Sequence, residues 1–281
     1  MITGWRTFDN GKGAFLGGVG ILLFFAIVSI GADLLALYPP RFRDMPFLMP
    51  SWPHPLGTND LGQDILTVLM AAGRVSLTIG IAAAIVSVLI GTTVGLLAGF
   101  FRGVSGEIFT GAIDAVLLIP VLPLLVILAA YLGPSSFNIV LVIACIGWCS
   151  TARAVRAKVL QLRETPFVEA LKALGFSGRR ILFFHLLPNV SEIVSAKFVL
   201  TVAGAMLSEA SLGFLGFGDP LRPSWGKMIH DAFQRGGFAN GLWNWYLPPG
   251  ICVTLCTMGF VLLGFYWERK DEAEKPPEWL F

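Results

Sequence analysis

The chain has 281 residues, of which 55% are hydrophobic and 14% are charged, and its formal net charge is +2. Soluble domains usually carry about 25% charged residues, so this composition excludes an ordinary water-soluble fold. The small net charge says little by itself, and no nucleic-acid partner is expected.

Six apolar segments are each close to the length of about 20 residues that a bilayer requires. Each must be helical, because hydrocarbon cannot satisfy open backbone groups. The sequence therefore predicts an all-α polytopic membrane protein with about six transmembrane helices. These spans are Phe15–Leu37, Val75–Phe101, Ile108–Leu132, Phe137–Cys149 extending toward Val155, Val190–Leu212 and Tyr246–Trp267.

The segment Tyr38–Arg74, between the first two spans, is rich in proline and contains a predicted surface helix. Thr58 or Asn59 can cap a helix that begins near Asp60 and runs to about Ala72. Apolar residues recur on one face of this stretch. We therefore expect the helix to lie on the membrane surface or on the bundle itself.

Spans two and three carry residues that suggest packing or function. Gly91, Gly95 and Gly99 recur every four residues in span two, a spacing that lets another helix approach closely; packing within the chain is expected. Asp114 is an ionisable residue at membrane depth in span three. It either lines a pathway across the membrane or pairs with a nearby arginine such as Arg102.

A polar, basic stretch between spans four and five predicts two short helices. Thr165 can cap a helix whose first position is Pro166, and Gly175 follows where a helix end favours a left-handed residue. A second helix, Arg179–Leu187, is expected to end near Pro188. A short amphipathic helix on such a loop offers an apolar face that only a partner can bury. The predicted docking residues are Pro166, Phe167, Glu169, Ala170, Leu171, Leu174 and Gly175 on and just after the first helix, together with Pro188.

Span five ends in a second group of candidates. Ser208 and Glu209 could line the same pathway as Asp114, and the alternative for Glu209 is a structural hydrogen bond. The outer segment that follows, Gly213–Trp245, is rich in aromatic residues. These either form an interfacial belt that anchors span six or contribute to a mouth for an external partner. They are Trp225, Phe233, Phe238, Trp243 and Trp245.

Lysine and arginine residues are concentrated on one side of the predicted spans. They cluster between spans four and five, and others precede span one and follow span six. Cytoplasmic loops carry such an excess, so both termini and the loop 153–189 are predicted to be cytoplasmic.

The sequence contains no recognisable catalytic constellation. Gly11-Lys12 lacks the spacing of a phosphate-binding loop. The pairs Cys145/Cys149 and Cys252/Cys256 each share a helix face and could in principle hold zinc. Their surroundings are apolar, however, and buried cysteine usually acts as a small hydrophobe. We therefore expect no catalytic residue, bound metal or cofactor on this chain.

The cytosolic loop carries a likeness to a known family. Glu169-Ala170, Gly175 and Leu187-Pro188 resemble the EAA loop of ABC-importer permeases, which docks into a groove on a cytosolic ATPase. In this loop Leu171 stands where the family usually has a second alanine, which enlarges the docking face.

Further blocks resemble the dipeptide/oligopeptide/nickel branch of the same family. In the first block Asn59 and Gln63 replace the usual aspartate and arginine, which removes one expected ion pair. The ending Gly264–Arg269 departs most from the family pattern. The blocks are His54–Leu66 with its continuation Gly73–Leu77, Leu207–Gly218, and Pro223–Gly226.

The resemblance implies a permease subunit that forms half of the translocation pathway of an ATP-driven importer of di- and oligopeptides. The same architecture importing nickel or a metal chelate is one alternative. A secondary transporter without an ATPase is an alternative of a different class. The implied partners are a second homologous permease, two cytosolic ABC ATPases that bind ATP and Mg, an extracytoplasmic substrate-binding protein and membrane lipid. The implied location is the cell (inner) membrane, multi-pass.

The same comparison divides the chain into three parts. Residues 1–74 hold the N-terminal tail, the first span and the extracytoplasmic segment. Residues 75–268 form a five-helix transmembrane domain with a coupling loop at about 158–189, and residues 269–281 form a cytosolic tail.

Overall fold

The computed structural model describes residues 10–39, 42–101 and 103–273, and within them the fold is a bundle of helices. Five helical segments of the described chain are long and apolar enough to cross a membrane, and the number is six if one bent pair of helices counts as a single span. The all-α polytopic prediction is therefore confirmed. The helices are α1 (Asn10–Ile30), α2 (Ala32–Leu35), α3 (Ile65–Phe100), α4 (Val104–Leu118), α5 (Val121–Leu132), α6 (Ser136–Arg163), α7 (Pro166–Ala173), α8 (Gly178–Arg180), α9 (Leu187–Leu212), α10 (Trp225–Gln234) and α11 (Trp243–Ala273). Two π-helical segments, Ile181–Leu186 and Gly213–Phe217, flank α9.

The predicted third span is not one straight helix. α4 and α5 meet at a bend of 91° between Leu118 and Val121. Pro120 supplies no backbone N–H and restricts the residue before it to extended conformations. Ile119 and Pro120 accordingly have ψ values of 133° and 121°.

The predicted surface helix near Asp60 is wrong, because α3 begins at Ile65 and runs without a break for 36 residues. Asp64 is its N-cap: one carboxylate oxygen accepts hydrogen bonds at 2.8 Å from both the backbone N–H and the hydroxyl of Thr67. A helix of this length spans about 54 Å and therefore extends beyond the hydrocarbon core.

The loop before α3 is held by side-chain hydrogen bonds. The side-chain oxygen of Asn59 accepts hydrogen bonds from the backbone N–H groups of Leu61 and Gln63. The side-chain NH2 of Asn59 donates to the side-chain oxygen of Gln63 at 3.0 Å. Asn59 and Gln63 are therefore joined by a hydrogen bond where the family pattern suggests an ion pair. Buried His54 adds contacts to Asp64 at 3.0 Å and to Asp44 at 3.4 Å.

The glycine face of span two packs inside the chain, as predicted. α3 lies so close to α6 that a Cβ atom on Gly95 would come within 2.6 Å of the Ala152 carbonyl oxygen. On Gly91 it would come within 2.5 Å of the Trp148 carbonyl oxygen, and on Gly99 within 2.7 Å of the Val159 Cβ. Only glycine leaves room for this approach.

Replacing Gly95 tests this contact. We expect Gly95→Ala to lower the free energy of unfolding by about 1–3 kcal/mol, because the methyl group overpacks the α3–α6 interface. Thermal unfolding of the purified protein in mild detergent measures the change. Gly20→Ala is the matched control, because a Cβ at Gly20 in α1 meets nothing within 4 Å. Equal melting temperatures for the two variants would contradict the assignment.

Candidate functional site: an exposed helix and a cavity between helices

The short helix α7 begins where the sequence predicts. Pro166 occupies its first turn, where a missing N–H costs nothing,. Thr165 is at the N-cap position, but its side chain does not cap the helix. Its hydroxyl donates instead to the Leu162 carbonyl at 2.7 Å, which ties α7 back to the end of α6.

The other end of α7 is closed by a left-handed residue. Gly175 has a φ of +78°, a conformation that L side chains rarely adopt. Its N–H donates to the Lys172 carbonyl at 3.0 Å, and the Phe176 N–H donates to the Leu171 carbonyl at 3.1 Å. These two bonds form a Schellman motif, which sets the direction in which the chain leaves α7.

α7 has a buried face and an exposed face. Val168 is fully buried and Leu171 is 8% exposed; both pack in a cluster with residues of α3, α6 and the π-helical segment. Phe167 is 50% exposed and Leu174 is 75% exposed, although both are apolar. Leu171 therefore anchors α7 to its own chain, which corrects its place on the predicted docking face.

The exposed face consists of residues whose position agrees with the docking prediction. Phe167, Ala170 and Leu174 recur at helical spacing and are all exposed,. Pro166, Glu169 and Gly175 are exposed around them. An exposed apolar surface of this kind marks an interaction site.

The second predicted helix of the loop does not end near Pro188. α8 runs directly into the π-helical segment Ile181–Leu186, which runs directly into α9. Pro188 lies in the first turn of α9. A wider π turn just before Pro188 relieves the clash that a proline ring makes within an α-helix, so the chain continues unbroken from the loop into span five.

Ring contacts join α7 to this segment. The ring of His185 makes edge-on contacts with Phe167 at 5.9 Å and with Phe176 at 5.8 Å between centroids. The guanidinium of Arg180 lies 4.8 Å from the centroid of Phe176, a cation–π distance,. These ring contacts connect α7 to the segment that continues into α9.

A cavity of about 270 Å³ lies at the bend between α4 and α5, against α6 and α9. Its walls are mostly apolar, as at Leu125 and Ile146. Four side chains bring polar groups to it: Ser150, Lys197, Thr201 and Ser208. Ser208 thus lies where the sequence analysis expects a pathway residue.

Lys197 is a cavity residue that the sequence analysis missed. The signal for it is present in the spacing of Lys197, Thr201, Gly204 and Ser208, which places all four on one face of α9,. A search for acidic groups in the spans passes over this stripe, because its only charge is positive.

Glu209 does not line this cavity and is fully buried. Its carboxylate accepts a hydrogen bond from the Ser76 hydroxyl at 2.9 Å, and that hydroxyl in turn accepts the Trp225 N–H at 3.1 Å. The Trp225 indole N–H donates to the Leu69 carbonyl. Glu209 therefore holds α9, α3 and α10 together, which favours the structural alternative over a pathway role.

Asp114 is also absent from the cavity lining. Its carboxylate pairs with Arg153 of α6 at 2.8 Å. The local ion pair considered from the sequence therefore exists, although with a different arginine; Arg102 lies outside the described residues. Both side chains of the pair are more than half exposed.

The aromatic residues of the outer segment divide into two groups. Trp225 and Trp245 are buried and hold helices together. Phe233, Phe238 and Trp243 are exposed, so both alternatives for the segment keep some support. A salt bridge of 2.7 Å between the Arg235 guanidinium and the Asp60 carboxylate joins this segment to the loop before α3. The hydrogen bond to Asp60 raises the pKa of Arg235 above its usual value.

Comparison with known proteins matches this sequence to a transport family. Residues 91–269 match the family described as the binding-protein-dependent transport system inner membrane component. The chain is 34% identical to the di/tripeptide transport system permease protein DppC of Pseudomonas aeruginosa, over 92% of this chain and 88% of that protein. It is 33% identical to the oligopeptide transport system permease protein OppC of Bacillus subtilis, over 88% and 81%. It is 31% identical to the glutathione transport system permease protein GsiD of Pectobacterium atrosepticum, over 92% and 86%.

The structural role of Glu209 predicts different effects for two substitutions. Glu209→Gln keeps an acceptor for the Ser76 hydroxyl and is expected to stay close to the native melting temperature. Glu209→Leu leaves that buried hydroxyl without its acceptor and is expected to cost about 1–3 kcal/mol of unfolding free energy. Thermal unfolding in detergent compares them. A Gln variant as unstable as the Leu variant would show that the hydrogen bond is not what Glu209 contributes.

Proposed function

We propose that this chain, which belongs to the family of binding-protein-dependent transport system inner membrane components, is the membrane-spanning permease subunit of an ATP-driven importer of di- and oligopeptides. The observation that carries the proposal is the similarity to peptide permeases over about nine-tenths of the chain. The names of the relatives given above refer to the transport of peptides or glutathione. This favours peptides over nickel or a metal chelate as the transported solute.

The chain itself is a transport component and not an enzyme. The family works with ATPase and substrate-binding partners. For this chain we infer two cytosolic ATPases that bind ATP and Mg, with no cofactor on the permease. Their docking site is the exposed face of α7, where an apolar groove on the ATPase would bury Phe167, Ala170 and Leu174.

The geometry of α7 suits the transmission of force. Val168 and Leu171 fix the inner face of α7 in a buried cluster. A force applied by a partner to the outer face would therefore move α7 and this cluster together. The contacts of His185 carry the displacement into the π-helical segment. Because that segment continues into α9, the displacement reaches the wall of the intramembrane cavity.

A second, homologous permease would complete the pathway. Apolar side chains around the α4–α5 bend are exposed in this chain, including Leu118 at 84% and Leu122 at 55%. We infer that the second permease covers this surface and forms the opposite wall of the cavity. With both termini cytoplasmic, the outer segments around Arg235 and Asp60 face the extracytoplasmic side, where a substrate-binding protein would dock.

Purification of the intact assembly tests this function. The tagged chain, extracted from its own membranes in mild detergent, is expected to bring with it ATPase subunits and a second permease, identified by mass spectrometry. Reconstituted into proteoliposomes with the binding protein, the complex is expected to take up trialanine only when ATP is supplied. Recovery of the chain alone, with no ATP-dependent uptake, would reject the importer proposal.

The docking face predicts a separate effect on coupling. Leu174→Asp is expected to lower ATP-dependent trialanine uptake about tenfold, because a carboxylate must lose its hydration to enter an apolar groove. Its abundance in the membrane should stay unchanged, since Leu174 is 75% exposed in the chain itself. Ala170→Asp should lower uptake in the same way.

Lys172→Glu is the matched control, because Lys172 is exposed on the opposite side of α7 from Leu174,. Uptake and membrane abundance are measured in parallel for all variants. Uptake at the normal rate by Leu174→Asp or by Ala170→Asp would remove α7 from the coupling role.

A further inference from the structure

Lys197 places a positive charge inside the membrane-spanning bundle. It lies ten residues after the start of α9, which corresponds to about 15 Å along the helix. Its side chain is neither fully exposed nor buried, and it lines the cavity between α5, α6 and α9. A lysine at this depth is costly unless it meets a partner or a water-filled space.

The chain does not neutralise this charge within the part that the structure describes. No carboxylate there lies within 4.0 Å of the Lys197 ammonium. Asp114, on the neighbouring helix α4, is engaged by Arg153. Ser150 brings a hydroxyl to the cavity from α6, and Thr201 and Ser208 bring hydroxyls from α9 itself; a hydroxyl supplies no counter-charge.

A polar track leads from Lys197 along α9. Thr201, Gly204 and Ser208 follow it on the same face and line the same cavity. A Cβ atom on Gly204 would meet nothing within 4 Å, so the middle of the track is open. From Lys197 to Ser208 the track is about 16 Å long, and an extended tripeptide is about 10 Å long.

We propose that the ammonium group of Lys197 binds a carboxylate of the transported peptide inside the cavity. This inference rests on the proposed function of peptide import. The hydroxyls of Ser150, Thr201 and Ser208 would hydrogen-bond the peptide backbone, while the apolar wall accepts side chains of different shapes. The site thereby favours carboxylate-bearing solutes over neutral and cationic ones during passage.

The chemistry of lysine suits a site that must release its ligand. Lysine presents a compact, strongly hydrated point charge, whereas arginine can hold a carboxylate through two parallel hydrogen bonds. Lys197 is the only cationic side chain that lines the cavity within the described residues. A single ion pair of this kind retains the peptide briefly and lets it leave when the cavity opens to the other side.

The test compares two peptides in one reconstituted complex. Proteoliposomes containing the full transporter and its binding protein take up either trialanine or trialanine amide, which lacks the terminal carboxylate. Each peptide is supplied at a concentration that saturates the binding protein. Because the binding protein is the same throughout, any change between wild type and variant arises in the permease.

Lys197→Met is expected to lower the ratio of trialanine uptake to amide uptake about tenfold, the effect of about 1.4 kcal/mol of lost binding. Lys197→Arg, which keeps the charge, is expected to restore most of the ratio. Lys158→Met, a lysine substitution outside the cavity lining, should leave the ratio as it is. If uptake of the amide is too slow to measure, the trialanine uptake rates are compared instead. We then expect a lower rate in Lys197→Met and a nearly unchanged rate in Lys197→Arg.

Two results would overturn the inference while peptide import stands. One is an unchanged uptake ratio in Lys197→Met, which includes an equal loss of both peptides. The other is a loss in Lys197→Arg as large as that in Lys197→Met. An absence of ATP-dependent peptide uptake in the wild-type complex would reject the proposed function itself. These results therefore distinguish a failure of the Lys197 inference from a failure of the proposed import function.

Discussion

The backbone contact between α3 and α6 supports the other functional parts of the molecule. Gly95 lets α3 approach the Ala152 carbonyl of α6 so closely that no side chain fits between them. Further along, Arg163 donates to the Gly99 carbonyl at 3.0 Å and joins the C-terminal end of α6 to the C-terminal end of α3. Without a hydrophobic drive between helices in lipid, such close packing is what holds them. The cluster that anchors Val168 of α7 is built on this pair.

On this support the chain builds a continuous connection from α7 to the cavity. α7 is fixed on its inner side, while its outer face stays free for a partner. The π-helical segment before Pro188 keeps the helix unbroken where a proline would otherwise end it. α9 then reaches the cavity with Lys197, Thr201 and Ser208 on its inner stripe. One rigid element therefore touches both the docking helix and the cavity.

The charged residues of the spans are accommodated in different ways, because membrane charge is costly. Glu209 accepts a hydrogen bond from the Ser76 hydroxyl, which joins α9 to α3. Asp114 is paired with Arg153 on the adjacent helix. Lys197 has no carboxylate partner within 4.0 Å among the described residues and faces a cavity. Of these three side chains, Lys197 is the one that lines a cavity, where a solute can reach it.

The sequence by itself determined the features that depend on local chemistry. Apolar length predicted the crossings, and a glycine after an amphipathic turn predicted the end of α7 at Gly175. Only the tertiary structure decided that Leu171 turns inward, that Pro188 is passed through by a helix, and that Lys197 and not Glu209 lines the cavity. The placements of Leu171, Lys197 and Glu209 depend on which face of a helix meets its neighbour, and the continuation through Pro188 depends on the π turn before it. In a bundle whose helices are apolar on all sides, periodicity does not distinguish the face toward protein from the face toward lipid or cavity.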